Sequence, residues 1–171
     1  MVPLTMMKRI FGPVLAMWLA ASPLWAQQTD AEFERELREI VDQEKVTVVH
    51  FWATWCPNCW FEHEDDGWRN FVKANPEVDV VFVSIWGSKP NDERELAKYG
   101  MNDLPNFKIM RHPNQTRRGD DRVNTLLDLP VTWLPTTWVF REGRMRYAIN
   151  YGEVRFGMLQ QMVNDSRPGQ W

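Results

Sequence analysis

Apolar positions along this chain recur with a spacing of about 3.6 residues in some segments and almost without interruption in others. Together they lay out helices and strands in turn. "TDAEFERELREIVDQEK" (29–45) sets Phe33, Leu37, Ile40 and Val41 on one helical stripe. Thr29 stands as its N-cap with Glu32 three residues on, the capping-box spacing. "VTVVHFWA" (46–53) is β-branched and aromatic with no charged residue, which predicts a strand buried on both faces. A helix is expected from Pro57, tolerated in a first turn, to Ala74, ahead of Asn75-Pro76. "VDVVFVSIW" (78–86) reads as a second central strand, "NDERELAKYG" (91–100) as a short helix closed by Gly100, and "NFKIM" (106–110) as a short strand. Residues 121–127 are expected to form another helix. "TTWVFREGRMRYAINYG" (136–152) predicts two antiparallel strands around Glu142-Gly143. "EVRFGMLQQMV" (153–163) follows as a closing helix, with Val154, Met158 and Met162 at four-residue spacing, and residues 164–171 as a frayed tail. Alternating strands and helices ending in a hairpin imply an α/β fold with a central mixed sheet flanked by helices.

The first 26 residues stand outside this pattern. Lys8 and Arg9 precede the apolar run "IFGPVLAMWLAA", and "SPLWAQQ" follows with Ala26 as a small residue at the exit. That order is the layout of a secretory signal. The run is interrupted by Gly12 and Pro13 and is short against the roughly 20 residues of a membrane span. Leu24, in place of a small residue three positions back, keeps an uncleaved anchor as the alternative. The expected division is a signal over 1–26 and one domain over 27–171. With 44% hydrophobic residues, that length is enough for a core. Removing the signal leaves 18 basic against 23 acidic residues, a balance of −5. A mildly acidic domain has no electrostatic footprint for nucleic acid. The basic cluster "MRHPNQTRR" (110–118) is diluted by Asp120 and Asp121 and reads as a solvated loop.

Both cysteines of the chain, Cys56 and Cys59, lie in "VVHFWATWCPNCWFEHEDD" (48–66). A C-x-x-C where a strand hands over to a helix puts Cys56 at the helix N-terminus, where free N–H groups and the macrodipole favour a thiolate. Cys59, one turn in, is shielded and placed to resolve a mixed disulfide. Two other readings compete. A structural clasp over so small a loop contributes roughly 2 kcal/mol at most. A metal site from the two thiolates with His50 or His63 lacks a second C-x-x-C or a paired-histidine motif. In an oxidising compartment the pair is expected as a disulfide unless something reduces it.

"FWATWCPNC", followed far downstream by "WLPTTWVF", resembles the thioredoxin superfamily, and the resemblance covers residues 46–163. Within it, the chain is most similar to the exported TlpA/ResA/CcmG (DsbE) thiol–disulfide oxidoreductases. The signal layout, the run "CPNCWFEHE" and the extra helix–strand segment near 90–110 carry that likeness. The resemblance implies a thioredoxin-like fold with a TlpA-like helix–strand insertion, a cis bond at Pro135 facing the disulfide, and backbone pairing of Leu134 with a substrate chain. It also implies a periplasmic protein acting on protein thiols and disulfides, reductase rather than oxidase, fed by a membrane thiol reductant. The expected state is a monomer with no resident metal and no cofactor beyond the Cys56–Cys59 disulfide. A copper chaperone using the same cysteines, a dithiol oxidase and a non-catalytic binding module are the alternatives.

Thioredoxins carry a buried Asp six residues before the first cysteine, and here that place is His50. A neutral imidazole there can accept the Cys59 proton; a satisfied core histidine is the plainer reading. Glu62 and His63, three and four residues past Cys59, either steer a proton or recognise partners, or face solvent. Trp55, Pro57, Asn58, Leu134 and Trp133 are expected on the substrate groove, with Pro57 and Asn58 tuning the potential. Trp52 and Trp138 are expected in the core.

Overall fold

A computed structural model describes residues 28–87, 89, 91–150 and 152–170; the expected signal segment, 1–26, lies outside these. Helix α1 (Asp30–Val41) begins at the anticipated capping box, with the Thr29 hydroxyl accepting the Glu32 N–H and the Glu32 carboxylate accepting the Thr29 N–H. Strand β1 (Val46–Trp52) is buried at every position. Beyond it lie α2 (Pro57–Phe61), a 3₁₀ turn (Glu64–Asp66), α3 (Gly67–Ala74), β2 (Asp79–Ser84), α4 (Asp92–Ala97) and β3 (Phe107–Arg111). The small strands β4 (Thr125–Leu126) and β5 (Leu129–Pro130) precede the hairpin β6 (Thr136–Arg141) and β7 (Arg144–Ile149), and α5 (Phe156–Asp165) closes the order.

The main sheet runs β3-β2-β1-β6-β7. β1, β2 and β3 are parallel, and β6 and β7 antiparallel, so the sheet is mixed as expected. Glu142 and Gly143 both take positive φ (51° and 69°), the two-residue turn whose twist suits a hairpin. Alternation along β1 divides the core. Val48 and Trp52 pack with Trp68, Phe82, Leu159 and Val163 on one face. Val49 and Phe51 pack with Phe33, Leu37 and Trp138 on the other. Trp52 and Trp138 are buried in these layers, as expected.

Four expectations differ from the structure. The helix over 57–74 is broken. Asp65 and Asp66 sit in the left-handed region (φ 52° and 57°), which ends α2 early and starts α3 in a new direction. Residues 121–127 are not helical either. Leu127 and Asp128 (φ 53° and 63°) turn β4 back onto β5, and Val123, Leu126 and Leu127 are buried on the α1 side of the sheet. In α5 the buried stripe is Leu159 and Val163, while Met158 is exposed and Val154 lies ahead of the helix. The tail is held further than expected, since α5 runs to Asp165 and Ser166 is buried.

Candidate active site

Cys56 is the N-cap of α2, with Pro57 in the first turn, where a missing N–H costs nothing. Cys56 and Cys59 are joined in a disulfide, and the Cys59 N–H donates to Cys56 Sγ at 3.3 Å. The two sulfurs differ in access. Both residues belong to the buried core layer (4% and 1% exposed), and of the two only Cys56 lines a cleft of about 600 Å³. Trp55, Pro57, Asn58, Trp133 and Leu134 line the same cleft, so every residue expected on the groove is brought to it. Trp133 is 57% exposed, and the Leu134–Pro135 peptide bond is cis. Pro135 is buried just behind the lining residues.

The other expected residues form a separate, buried layer. His50 on β1 sits across from Thr137 on β6, two residues past Pro135, and its Nδ1 lies 2.9 Å from the Thr137 hydroxyl. Its Nε2 is 3.1 Å from Glu62 Oε2, off the line of a hydrogen bond. Both side chains are fully buried. The Glu62 carboxylate also accepts the Val154 N–H at 2.6 Å and the Trp68 indole N–H at 3.0 Å. Burial alone pushes this carboxyl up. The adjoining His50 ring and the hydrogen bonds from Trp68 and Val154 outweigh it, and Glu62 is held below the ordinary carboxylate range. His63 is buried against Tyr99, with ring centroids 4.6 Å apart. Burial, reinforced by the His50 charge, drives it down to about 4 against a weaker opposing pull from Glu62. Glu62 and His63 are therefore interior residues and not a solvent-facing helical pair. The break at Asp65 and Asp66 is what separates them from the exposed turn that follows.

This layer bears on the metal reading. The two ring nitrogens of His50 lie near Thr137 and Glu62, at 2.9 and 3.1 Å. Among the described residues, no three His, Cys, Asp or Glu side chains gather as a metal-binding group.

Sequence reasoning missed one wall of the cleft. Trp86, Thr132, Arg117, Arg118 and Arg122 complete its lining. Arg117 and Arg118 come from the loop expected in solvent and Arg122 from the segment expected as a helix, and that loop is anchored. Its buried His112 packs on Phe33 with ring centroids 4.6 Å apart, and Gln115 donates to the carbonyls of Ser84 and His112. The available signal was aromatic: a tryptophan two residues past β2 and another before Cys56, each offering a ring to a nearby arginine.

Residues 33–167 match the family model described as a thioredoxin-like domain. Among curated proteins, the chain is 28% identical over 123 residues to a thiol:disulfide interchange protein DsbE of Haemophilus influenzae, covering 71% of this chain and 60% of the relative. It is 30% identical over 101 residues to the protein of that name from Pasteurella multocida, covering 59% of this chain and 48% of the relative. The chain thus spans about half to three-fifths of those relatives' length. Among solved structures, one neighbour is a secreted Mycobacterium tuberculosis disulfide oxidoreductase homologous to E. coli DsbE. Its TM-score is 0.53 at 22% identity, covering 71% of this chain and 82% of that one. Another is the exposed lipoprotein thioredoxin Etrx1 of Streptococcus pneumoniae, with TM-score 0.54 at 19% identity, covering 75% and 89%. Both likenesses are of fold.

Proposed function

The chain belongs to the thioredoxin-like family, and on that footing we propose that it is a periplasmic thiol–disulfide oxidoreductase that reduces disulfides in exported proteins. What supports the reading is the unequal pair of sulfurs: Cys56 opens on a cleft, and Cys59 lies buried one turn behind it. In the reduced protein the Cys56 thiolate attacks one sulfur of a client disulfide. That S–S bond breaks, a client thiolate leaves with the electron pair, and a mixed disulfide forms. Cys59, deprotonated, then attacks Cys56 Sγ, re-forms the Cys56–Cys59 bond and expels the second client thiolate. The client gains two electrons and two protons, and the protein dithiol loses them. A dithiol reductant, proposed to be membrane-borne, restores the starting state.

The Cys59 N–H, 3.3 Å from Cys56 Sγ, is a donor aimed at the sulfur that carries charge once the bond opens. His50 lies on the β1 face of Val48 and Trp52, which share a core layer with the cysteines, and the Thr137–His50–Glu62 chain is the proposed acceptor for the Cys59 proton. The signal layout at the N-terminus supports export. No helix among the described residues is long and apolar enough to cross a membrane.

The reduction potential of the Cys56–Cys59 pair, measured with the ionisation of Cys56, tests the direction of electron flow. A potential near the thioredoxin end, about −270 mV, with a near-neutral thiol supports a reductase. One near about −120 mV with an acidic thiol assigns an oxidase.

A further inference from the structure

The cleft over Cys56 has a cationic wall on an acidic molecule. The whole chain carries a net charge of −3, yet Arg117, Arg118 and Arg122 line this one cleft with no Asp or Glu among its lining residues. Asp120 and Asp121, their neighbours on the loop, do not line it. Among the described residues none of the three guanidinium groups is in an ion pair. Two of them are also fixed. Arg117 lies over the Trp55 ring at 3.7 Å and Arg122 over the Trp86 ring at 4.5 Å. The rings are held in turn, since Trp55 Nε1–H donates to the Trp86 carbonyl at 2.6 Å and Trp86 Nε1–H to the Val123 carbonyl at 2.8 Å. Arg122 Nε–H also donates to Asn124 Oδ1 at 2.9 Å; stacking on a ring face uses the guanidinium's plane and leaves the remaining edge donors for a carboxylate, the planar group they fit in pairs.

From this arrangement we infer that the cleft selects a client protein segment carrying Asp or Glu beside its reacting cysteine. The inference rests on the thiol-exchange reading. The occupant is a polypeptide because the surface continues past the charged end. Trp55 and Pro57 are shared with a second cleft, of about 460 Å³, lined by Trp60, Phe61, Glu64 and Tyr99. A bound chain passing Cys56 runs from the arginine wall onto that largely aromatic surface, whereas a small anion fills one end only. Apposed unlike charges also speed encounter and reject basic clients.

The test uses short labelled peptides with acidic, neutral or basic residues around a central position. With serine there, binding to the oxidised protein is read by fluorescence anisotropy. With a cysteine in a disulfide there, exchange is read in a single turnover of the reduced protein. At low salt the acidic peptide is expected to bind on the order of tenfold more tightly than the neutral one, with the basic peptide weakest. The preference should shrink as salt rises. Arg117→Gln with Arg118→Gln should flatten the order, and Arg117→Glu with Arg118→Glu should invert it, a graded response that misfolding does not produce. Equal binding of the three peptides at low salt, or an order untouched by charge reversal, overturns the inference. So does glutathione disulfide competing as tightly as the acidic peptide, which marks a small-anion site. Exchange without charge preference refutes the acidic client alone. Acid-selective binding without exchange refutes the thiol-exchange reading and leaves the acid-binding groove standing.

Discussion

Glu62 ties three elements together through one carboxylate: β1 by way of His50, α3 by Trp68, and the approach to α5 by the Val154 N–H. Removing it strands a buried imidazole and two buried donors. Glu62→Ala is therefore expected to cost about 3–5 kcal/mol in urea unfolding at neutral pH, with Glu62→Gln losing less. Because its folded pKa lies below the unfolded value near 4.5, the stability Glu62 adds is complete above that value and is lost as pH falls through the lower folded one. His63 acts in the same direction over a different window. Its pKa falls from 6.5 unfolded to about 4 folded, so the unfolded chain binds the extra proton between these values. Stability should drop by roughly 3 kcal/mol as pH is lowered across that range. His63→Gln should flatten the profile there, and His112, lowered by burial, adds a smaller slope of the same sign. His50 is tested kinetically. His50→Ala is expected to slow mixed-disulfide resolution and, by leaving Glu62 unpaired, to lower stability. Unchanged single-turnover rates between about pH 6 and 9 would rule out its proton role. At this scale the placing of Cys56 at a helix N-terminus and its disulfide with Cys59 were legible in the sequence. The burial of Glu62 and His63 was not, because two left-handed aspartates ahead of Gly67 look, as residues, like an exposed helical turn.

The joint between α2 and α3 sets that burial. Gly67 begins α3, and a Cβ there would come 2.7 Å from the Glu62 carbonyl oxygen and closer still to the Phe156 ring. The carbonyl belongs to the backbone and cannot step aside cheaply. Gly67→Ala should thus cost about 1–3 kcal/mol in thermal or urea unfolding and slow thiol exchange by displacing Glu62. Stability equal to wild type would mean the joint is loose. The elements with one strong period were readable: β1, the Glu142-Gly143 hairpin and the capped α1. Where periods overlap, the reading failed. Val123, Leu126 and Leu127 have the i, i+3, i+4 spacing of a helix stripe, yet a turn at Leu127-Asp128 buries all three. Long-range packing decided between patterns that local spacing leaves equal.

Across the molecule, an acidic chain presents a disulfide at the meeting of a cationic cleft and an aromatic one. The mixed sheet, the hairpin and the cysteine pair follow from the alternation of strands and helices around C-x-x-C. The arginine wall does not, because summed charge over 110–121 averages the basic residues with Asp120 and Asp121 while the fold points only the arginines into the cleft. The central claim is that Cys56 attacks and Cys59 resolves. Its most direct test is mass spectrometry of reduced wild-type, Cys56→Ser and Cys59→Ser proteins after one turnover with a peptide disulfide. The account predicts a stable peptide adduct on Cys56 in Cys59→Ser, no adduct in Cys56→Ser, and complete exchange with an intact Cys56–Cys59 bond in the wild type. An adduct that forms on Cys59 in preference to Cys56, or no exchange by the wild type, would contradict it.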